Sequence, residues 1–278
     1  MAESETYRLG TFFSEVERPS LEELASALDD EFIERDTEEL ADEGEELVFK
    51  DKGRNIRIQR DGGDYDYLHF RYVSDTKQSY RVRTEDDEED DQSDTRLVDS
   101  RVLYFENGQF ALETDNDLED RWIPRFIGRA TGYDIGGGDY RIYNLGEQYF
   151  SMVYQDLDIV TKLKLEEPQS QDEISNDVGD FVRNLAGQVT SFEFSSGGSE
   201  NLKDKPAIDT CAEHLAISRM TGKYEEELMK NYTGSSVSQT LDYEDANPDN
   251  MEEQIRRESL AARDVVQEEL ERLREVYQ

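Results

Sequence analysis

Basic and aromatic side chains that could bind an anion are concentrated in residues 50–83. This stretch holds nine Lys and Arg against five Asp and Glu, a net charge of +4. Arginine guanidinium groups match the paired oxygens of phosphate or carboxylate, and tyrosine rings can stack on nucleobases. Because side chains alternate along a strand, the sequence predicts a shared face for these candidate ligand-binding residues: Arg57, Tyr65, Tyr67, His69, Arg71, Arg81 and Arg83.

The same arginines have a structural interpretation. The whole chain carries 68 Asp and Glu against 31 Lys and Arg, a formal net charge of -37. In so acidic a protein, a strand arginine has carboxylates of its own chain within reach. The sequence therefore leaves open whether this face binds an anionic ligand or forms internal ion pairs.

A second set of arginines follows a predicted helix. Arg121, Arg125 and Arg129 are spaced four residues apart, beside the apolar residues Trp122 and Phe126. Residues four apart lie on one side of a helix. We expect Trp122 and Phe126 to be core, and the arginines to pair with acidic surfaces of the chain.

Most sequence signatures of enzymes are missing. Two His and one Cys cannot build a zinc site of the Cys/His kind. The chain has no GxxxxGK[ST] loop, no GxGxxG after a strand and no GxSxG elbow. We therefore expect no cofactor, no metal and a protein that is not an enzyme. A metal-dependent phosphodiesterase whose carboxylates come from separate segments stays open as an alternative.

The excess of acidic residues indicates a protein adapted to high salt concentration. At molar salt the Debye length falls to about 3 Å, so surface carboxylates repel one another little. The composition resembles that of cytoplasmic proteins from extreme halophiles. The N-terminus has no signal-peptide pattern, and no apolar run approaches the ~20 residues that span a bilayer. We expect a cytoplasmic protein with no membrane partner.

The periodicities predict an α+β fold. We expect a twisted antiparallel sheet with flanking helices in residues 1–133, a smaller α+β segment in 134–247 and a long C-terminal helix in 248–278. The acidic residues 85–95 are predicted to form a disordered loop within the first segment, since they offer nothing apolar to bury.

Several local patterns predict particular elements. Ser20 and Glu23 have capping-box spacing at a helix start, and Asn107-Gly108 is a hairpin signal. Pro124 predicts a helix that starts or breaks near Ile123. Residues 148–154 are predicted as a strand, and residues 175–185 and 223–232 as short helices. Residues 250–277 are predicted as a helix with an apolar stripe: Met251, Ile255, Ala262, Val266, Leu273 and Tyr277.

These patterns favour a non-enzymatic binding protein of a halophile cytoplasm. Its basic and aromatic sheet face would recognise nucleic acid or another polyanion. The main alternative is an interaction or assembly protein that uses the C-terminal helix to form a homodimer or to dock on a protein partner. The metal-dependent phosphodiesterase is the third candidate.

Overall fold

The protein has a mixed α+β fold built on antiparallel sheets, which confirms the predicted class. The computed structural model describes residues 3–28, 32–34, 50–59, 67–83, 89–114, 118–166, 191–196, 200–224, 229–241 and 251–277. The predicted helix at 175–185 lies outside these residues.

The chain forms two compact units. One unit is residues 9–142, and the other joins residues 1–8 to residues 143–278. The boundary falls nine residues beyond the predicted position at 133. The C-terminal helix and the start of the first strand both belong to the second unit.

The sheet of unit 9–142 has the strand order β2-β3-β4-β5-β6-β1, with the short β7 also paired to β1. Its strands are β1 (Glu3–Phe12), β2 (Ile33–Glu34), β3 (Lys50–Gln59), β4 (Tyr67–Arg83), β5 (Glu89–Phe105), β6 (Gln109–Glu113) and β7 (Tyr140–Ile142). Two helices, α1 (Leu21–Ala27) and α2 (Glu119–Thr131), contribute to its core.

The hairpin of β4 and β5 is longer than the sequence predicts. The two strands pair without interruption from Tyr67 opposite Phe105 to Arg83 opposite Glu89. Residues 89–95 of the predicted disordered loop therefore lie in a strand, while residues 84–88 are outside the described residues. The register explains the difference, because it sets Arg81 across from Asp91, and opposite charges in facing strand positions are favourable.

Two local signals in this unit are confirmed. The Ser20 hydroxyl accepts a hydrogen bond from the Glu23 backbone, and the Glu23 carboxylate accepts one from the Ser20 N–H, at 2.9 Å. Gly108 turns the chain between β5 and β6 with a φ of 84°, a conformation that favours glycine. Helix α2 differs from prediction, since it starts at Glu119 and continues through Pro124 without a break.

The sheet of the second unit has the order β1-β12-β11-β10-β8-β9, with all described pairs antiparallel. The strands are β8 (Ile159–Glu166), β9 (Ser191–Ser195), β10 (Ala216–Lys223), β11 (Lys230–Thr233) and β12 (Ser236–Leu241). The helices are α3 (Glu147–Asp156), α4 (Pro206–His214) and α5 (Met251–Tyr277), with a 3₁₀ turn at Leu202–Asp204.

Two element predictions in this unit are wrong. Residues 148–154 form helix α3 instead of a strand, and its buried residues are Tyr149, Phe150, Val153 and Tyr154. That spacing follows a helical turn, and burial of four large side chains outweighs the strand preference of aromatic residues. Residues 230–232 lie in β11 rather than in a helix, because they pair with both β10 and β12.

The C-terminal helix α5 packs against its own unit. Ala262, Val266 and Leu273 of the predicted stripe are buried, as are Val265 and Leu270 beside them. The Tyr277 hydroxyl at the helix end donates to the Asn144 carbonyl at 2.5 Å. The stripe therefore contributes to the core of this unit.

Candidate functional site

Tyr67, predicted as an exposed stacking residue, has 0% of its surface exposed. Its ring lies 6.0 Å from that of Phe105, its partner across the β4–β5 ladder. His69 and its ladder partner Leu103 are buried on the same side of the two strands. The expectation of an exposed Tyr67 is wrong because this end of the hairpin is buried on both faces.

Two arginines of this hairpin, Arg71 and Arg101, have carboxylate partners. Arg71 forms an ion pair with Asp99, and both side chains are about half exposed. Arg101, directly across from Arg71, lies 3.5 Å from Glu113. The described part of the predicted face therefore pairs its cations with acids of the same chain.

For the remaining candidates on this face, the structure describes either the backbone alone or nothing. Arg57 lies in β3 opposite His69, and Arg81 and Arg83 lie in β4 opposite Asp91 and Glu89. Their side chains, and Tyr65 as a whole, are outside the described residues. The structure thus does not bring the seven predicted residues together as one described surface.

Of the helical arginines, Arg129 pairs with an acidic residue of the chain, as the sequence predicts. Its guanidinium forms an ion pair with Asp51, a fully buried carboxylate that also accepts the Tyr72 hydroxyl at 2.7 Å. The guanidinium of Arg125 lies 5.5 Å from the centre of the buried Trp122 ring. The pair of Arg129 and Asp51 joins α2 to β3, whereas the contact of Arg125 with Trp122 lies within the helix.

A different basic surface lies on the sheet of the second unit. In β8, Leu163 and Leu165 are buried, whereas Lys162 before them is exposed and Lys164 between them is half-buried. In β10, Arg219 is exposed between the buried Ile217 and Met220. We call the side that carries Lys162, Lys164 and Arg219 the open face.

A β-bulge turns Arg219 onto the open face. Ile217 pairs with Leu165 and Arg219 pairs with Lys164, so Ser218 is an extra residue in β10. Without the bulge, Arg219 would share the buried side of Ile217, two positions away. A second bulge at Thr161 in β8 restores the register beyond Lys162.

The open face contains a groove of about 260 Å³. Its charged end is formed by Lys162, Lys164 and Arg219, with Glu193 of β9 directly across from Lys164. Leu163 also contributes to the lining, and hydroxyl and amide side chains of β10, β11 and β12 continue it: Thr221, Asn231, Thr233 and Ser238.

The charged end of the groove has excess positive charge. Lys164 donates to Glu166 at 2.7 Å, and this hydrogen bond lowers the pKa of the Glu166 carboxyl. Within the described residues, Lys162 and Arg219 form no ion pair. Arg219 lies directly across from Lys164, so two like charges face each other in neighbouring strands.

The opposite side of this sheet carries a buried ionic cluster. Glu269 of α5 is fully buried and accepts hydrogen bonds from Tyr149 at 2.7 Å and Tyr232 at 3.1 Å. Lys230 and Arg272 reach the same carboxylate at 3.4 and 3.2 Å. Burial, and then the neighbouring Glu269 charge, raise the pKa of both tyrosines well above the usual value. These groups hold α5 against the sheet.

The described residues contain no group of three or more His, Cys, Asp or Glu that could hold a metal ion. Among the same residues, no helix is both long enough and apolar enough to cross a membrane. The single cysteine, Cys211 in α4, is half-buried, and burial raises the pKa of its thiol.

Comparison with known proteins assigns no family to the chain. Neither a protein-family model nor a curated protein matches the sequence. Functional proposals for this chain therefore depend on the side chains of its own surfaces, and the groove on the open face is the strongest candidate site among the described residues.

Proposed function

We propose that the protein is a non-enzymatic binding protein for an anionic ligand and that the groove on the open face is its binding site. The observation that carries this proposal is Arg219, which is exposed, lies directly across from Lys164 and forms no ion pair within the described residues. Glu166 already compensates the charge of Lys164, so a bound anion would pair with Arg219 and with Lys162 on the same face.

The composition of the chain strengthens this inference. Acids outnumber bases 68 to 31, so a cation on the surface would ordinarily find a carboxylate. Arg71 and Arg129 do so, whereas Lys162 and Arg219 have no ion-pair partner among the described residues. The bulge at Ser218 also fits a binding site, since bulges occur often beside sites, where they redirect a side chain.

The groove supports anion binding better than the face predicted from residues 50–83. Stacking of nucleobases needs exposed aromatic rings, and Tyr67 is buried. Arg71 already has Asp99 as a partner. Binding of nucleic acid or another polyanion through Arg57, Arg81 and Arg83 stays a prediction, as do the halophilic origin and the cytoplasmic location.

The assembly alternative receives less support. Its interface would be the apolar stripe of α5, and Val266 and Leu273 of that stripe are already buried within the chain. A partner that binds through this stripe would have to displace α5 from its own unit. A homodimer or protein partner that uses another surface stays a prediction.

Calorimetric titration with inorganic phosphate in molar potassium chloride tests the proposed site. The wild-type protein should bind phosphate, and Arg219→Ala should weaken binding at least about tenfold, as loss of a charge-assisted hydrogen bond does. Arg71→Ala is the matched control, because it removes an exposed strand arginine from the other unit. It should leave the affinity unchanged.

Two results would contradict the proposal. The first is no phosphate binding by the wild-type protein at any salt concentration. The second is loss of binding in Arg71→Ala with full binding in Arg219→Ala, which would move the site to the face that the sequence predicted.

A further inference from the structure

The groove on the open face changes in chemistry along its length. Lys162, Lys164 and Arg219 occupy β8 and β10 at one end. Side chains that can both donate and accept hydrogen bonds continue across the neighbouring strands to the other end: Thr221, Asn231, Thr233 and Ser238. A ligand that fills the groove would therefore contact cations at one end and uncharged polar groups at the other.

The uncharged end is arranged to hydrogen-bond. The Thr221 hydroxyl donates to the Asn231 side-chain oxygen at 2.8 Å, so the Asn231 amide nitrogen is left to donate elsewhere. The Thr233 hydroxyl lies 2.8 Å from the Ser236 hydroxyl and 3.3 Å from the Ser236 carbonyl, so its proton has a partner within the turn. The Thr233 oxygen can still accept a hydrogen bond from a ligand hydroxyl.

Glu193 argues against a ligand that is anionic throughout. This carboxylate lines the groove directly across from Lys164, and it can only accept hydrogen bonds while ionised. Because it lies next to Lys164, its charge limits how much negative charge this end of the groove accepts.

The described lining also argues against a nucleobase. None of the residues described as lining the groove is aromatic. Phe192 and Phe194 of β9 pair with Leu165 and Leu163, which point to the buried side. Stacking, which supplies much of the affinity for single-stranded nucleic acid, is therefore not offered by this lining.

We propose that the groove binds the phosphate ester of a sugar or a smaller polyol. The phosphate lies against Lys162, Lys164 and Arg219, where the guanidinium fork of Arg219 matches two phosphate oxygens. The hydroxyls of the ligand exchange hydrogen bonds with Thr221, Asn231 and Thr233. This inference rests on the proposed anion-binding function and names its ligand class.

The test compares calorimetric affinities of the full chain in molar potassium chloride for inorganic phosphate, glucose 6-phosphate, ribose 5-phosphate, glycerol 3-phosphate and free glucose. At least one phosphate ester should bind about tenfold or more tightly than inorganic phosphate, because each added hydrogen bond contributes several-fold. Free glucose should bind much more weakly than that ester.

Variants separate the two ends of the groove. Thr233→Val should remove most of the advantage of the ester and leave the affinity for inorganic phosphate unchanged, and Thr233→Ser should restore the advantage. Arg219→Ala should weaken both ligands. Circular dichroism of each variant checks that it folds, and Asn231→Ala provides a second variant at the uncharged end should Thr233→Val not fold.

The outcomes distinguish this inference from the proposed function. Equal affinity for inorganic phosphate and all three esters would overturn the ligand class and leave the anion site standing. Tighter binding of a short RNA than of every ester would replace the sugar phosphate with a nucleic-acid ligand. Absence of binding by every anion would overturn the proposed function itself.

Discussion

Glu269 shows how one buried charge can be held in this acidic protein. Its carboxylate is fully buried between two tyrosine hydroxyls and the cations Lys230 and Arg272. A buried charge is tolerated when hydrogen bonds and opposite charges replace its water. Removal of that charge takes the buried partner away from both cations, which keep the part-exposed Glu268 at 3.0 and 2.6 Å.

We expect Glu269→Gln to lower the free energy of unfolding by about 3 kcal/mol, because removing one partner of a buried ion pair is strongly destabilising and Glu268 compensates the two cations only in part. Denaturant unfolding in molar potassium chloride measures the effect. Glu275→Gln, an exposed substitution on the same helix, is the control. Similar unfolding midpoints for both variants would show that the Glu269 charge does not stabilise the fold.

At the same scale, the position of Arg219 depends on a single inserted residue. If side chains alternated strictly along β10, Ile217 and Arg219 would lie on the same side of the sheet. The bulge at Ser218 puts them on opposite sides. The alternation of Lys162 and Lys164 with Leu163 and Leu165 was visible in the sequence. The meeting of Lys164 with Arg219 was not, because it depends on the register between strands that are distant in the chain.

At the scale of elements, helix α5 contributes its apolar side to the core of its own unit. Leu273 is fully buried, whereas Leu97 in β5 is 60% exposed. Deletion of a buried leucine side chain removes transfer free energy and leaves a cavity, while deletion of an exposed one does neither.

Leu273→Ala should therefore destabilise the protein by about 2–5 kcal/mol. Leu97→Ala, the same change at an exposed position, should have little effect. Both are measured by denaturant unfolding, and sedimentation of each variant checks whether the mass changes. Loss of a dimer mass in Leu273→Ala without loss of stability would favour an assembly role for this helix.

Elements with short-range signals were predictable from the sequence, and elements that depend on tertiary pairing were not. The capping box of Ser20 and Glu23 and the turn at Asn107-Gly108 involve neighbouring residues only. The burial of Tyr67 depends on its partner Phe105, 38 positions along the chain. The apolar character of both faces of β5 in the sequence was the signal that its partner strand would be buried there.

At the scale of the whole molecule, the net charge of -37 sets the conditions under which the fold and the site operate. Unscreened, the carboxylates repel one another, and they also repel an approaching anion. In molar salt the screening length of about 3 Å leaves only the nearest charges effective. A phosphate in the groove would then respond to Lys162, Lys164 and Arg219 more than to the distant acids.

Thermal stability should accordingly depend on salt. The unfolding midpoint should fall as potassium chloride is lowered from molar concentration to about 0.1 M, since carboxylate repulsion becomes unscreened. Sodium chloride at the same ionic strength should give the same midpoint if screening is the cause. A midpoint that stays constant over this range would contradict the prediction of a halophilic protein.

The central claim is that an anion binds on the open face of the second unit, and nuclear magnetic resonance can locate it. Backbone amide shifts are followed while inorganic phosphate is added in molar potassium chloride. The groove predicts saturable shifts clustered at Lys162, Lys164, Arg219 and Thr221, with Arg71 and Arg101 unchanged. Saturable shifts confined to β4 and β5, or no saturable shifts at all, would contradict the claim.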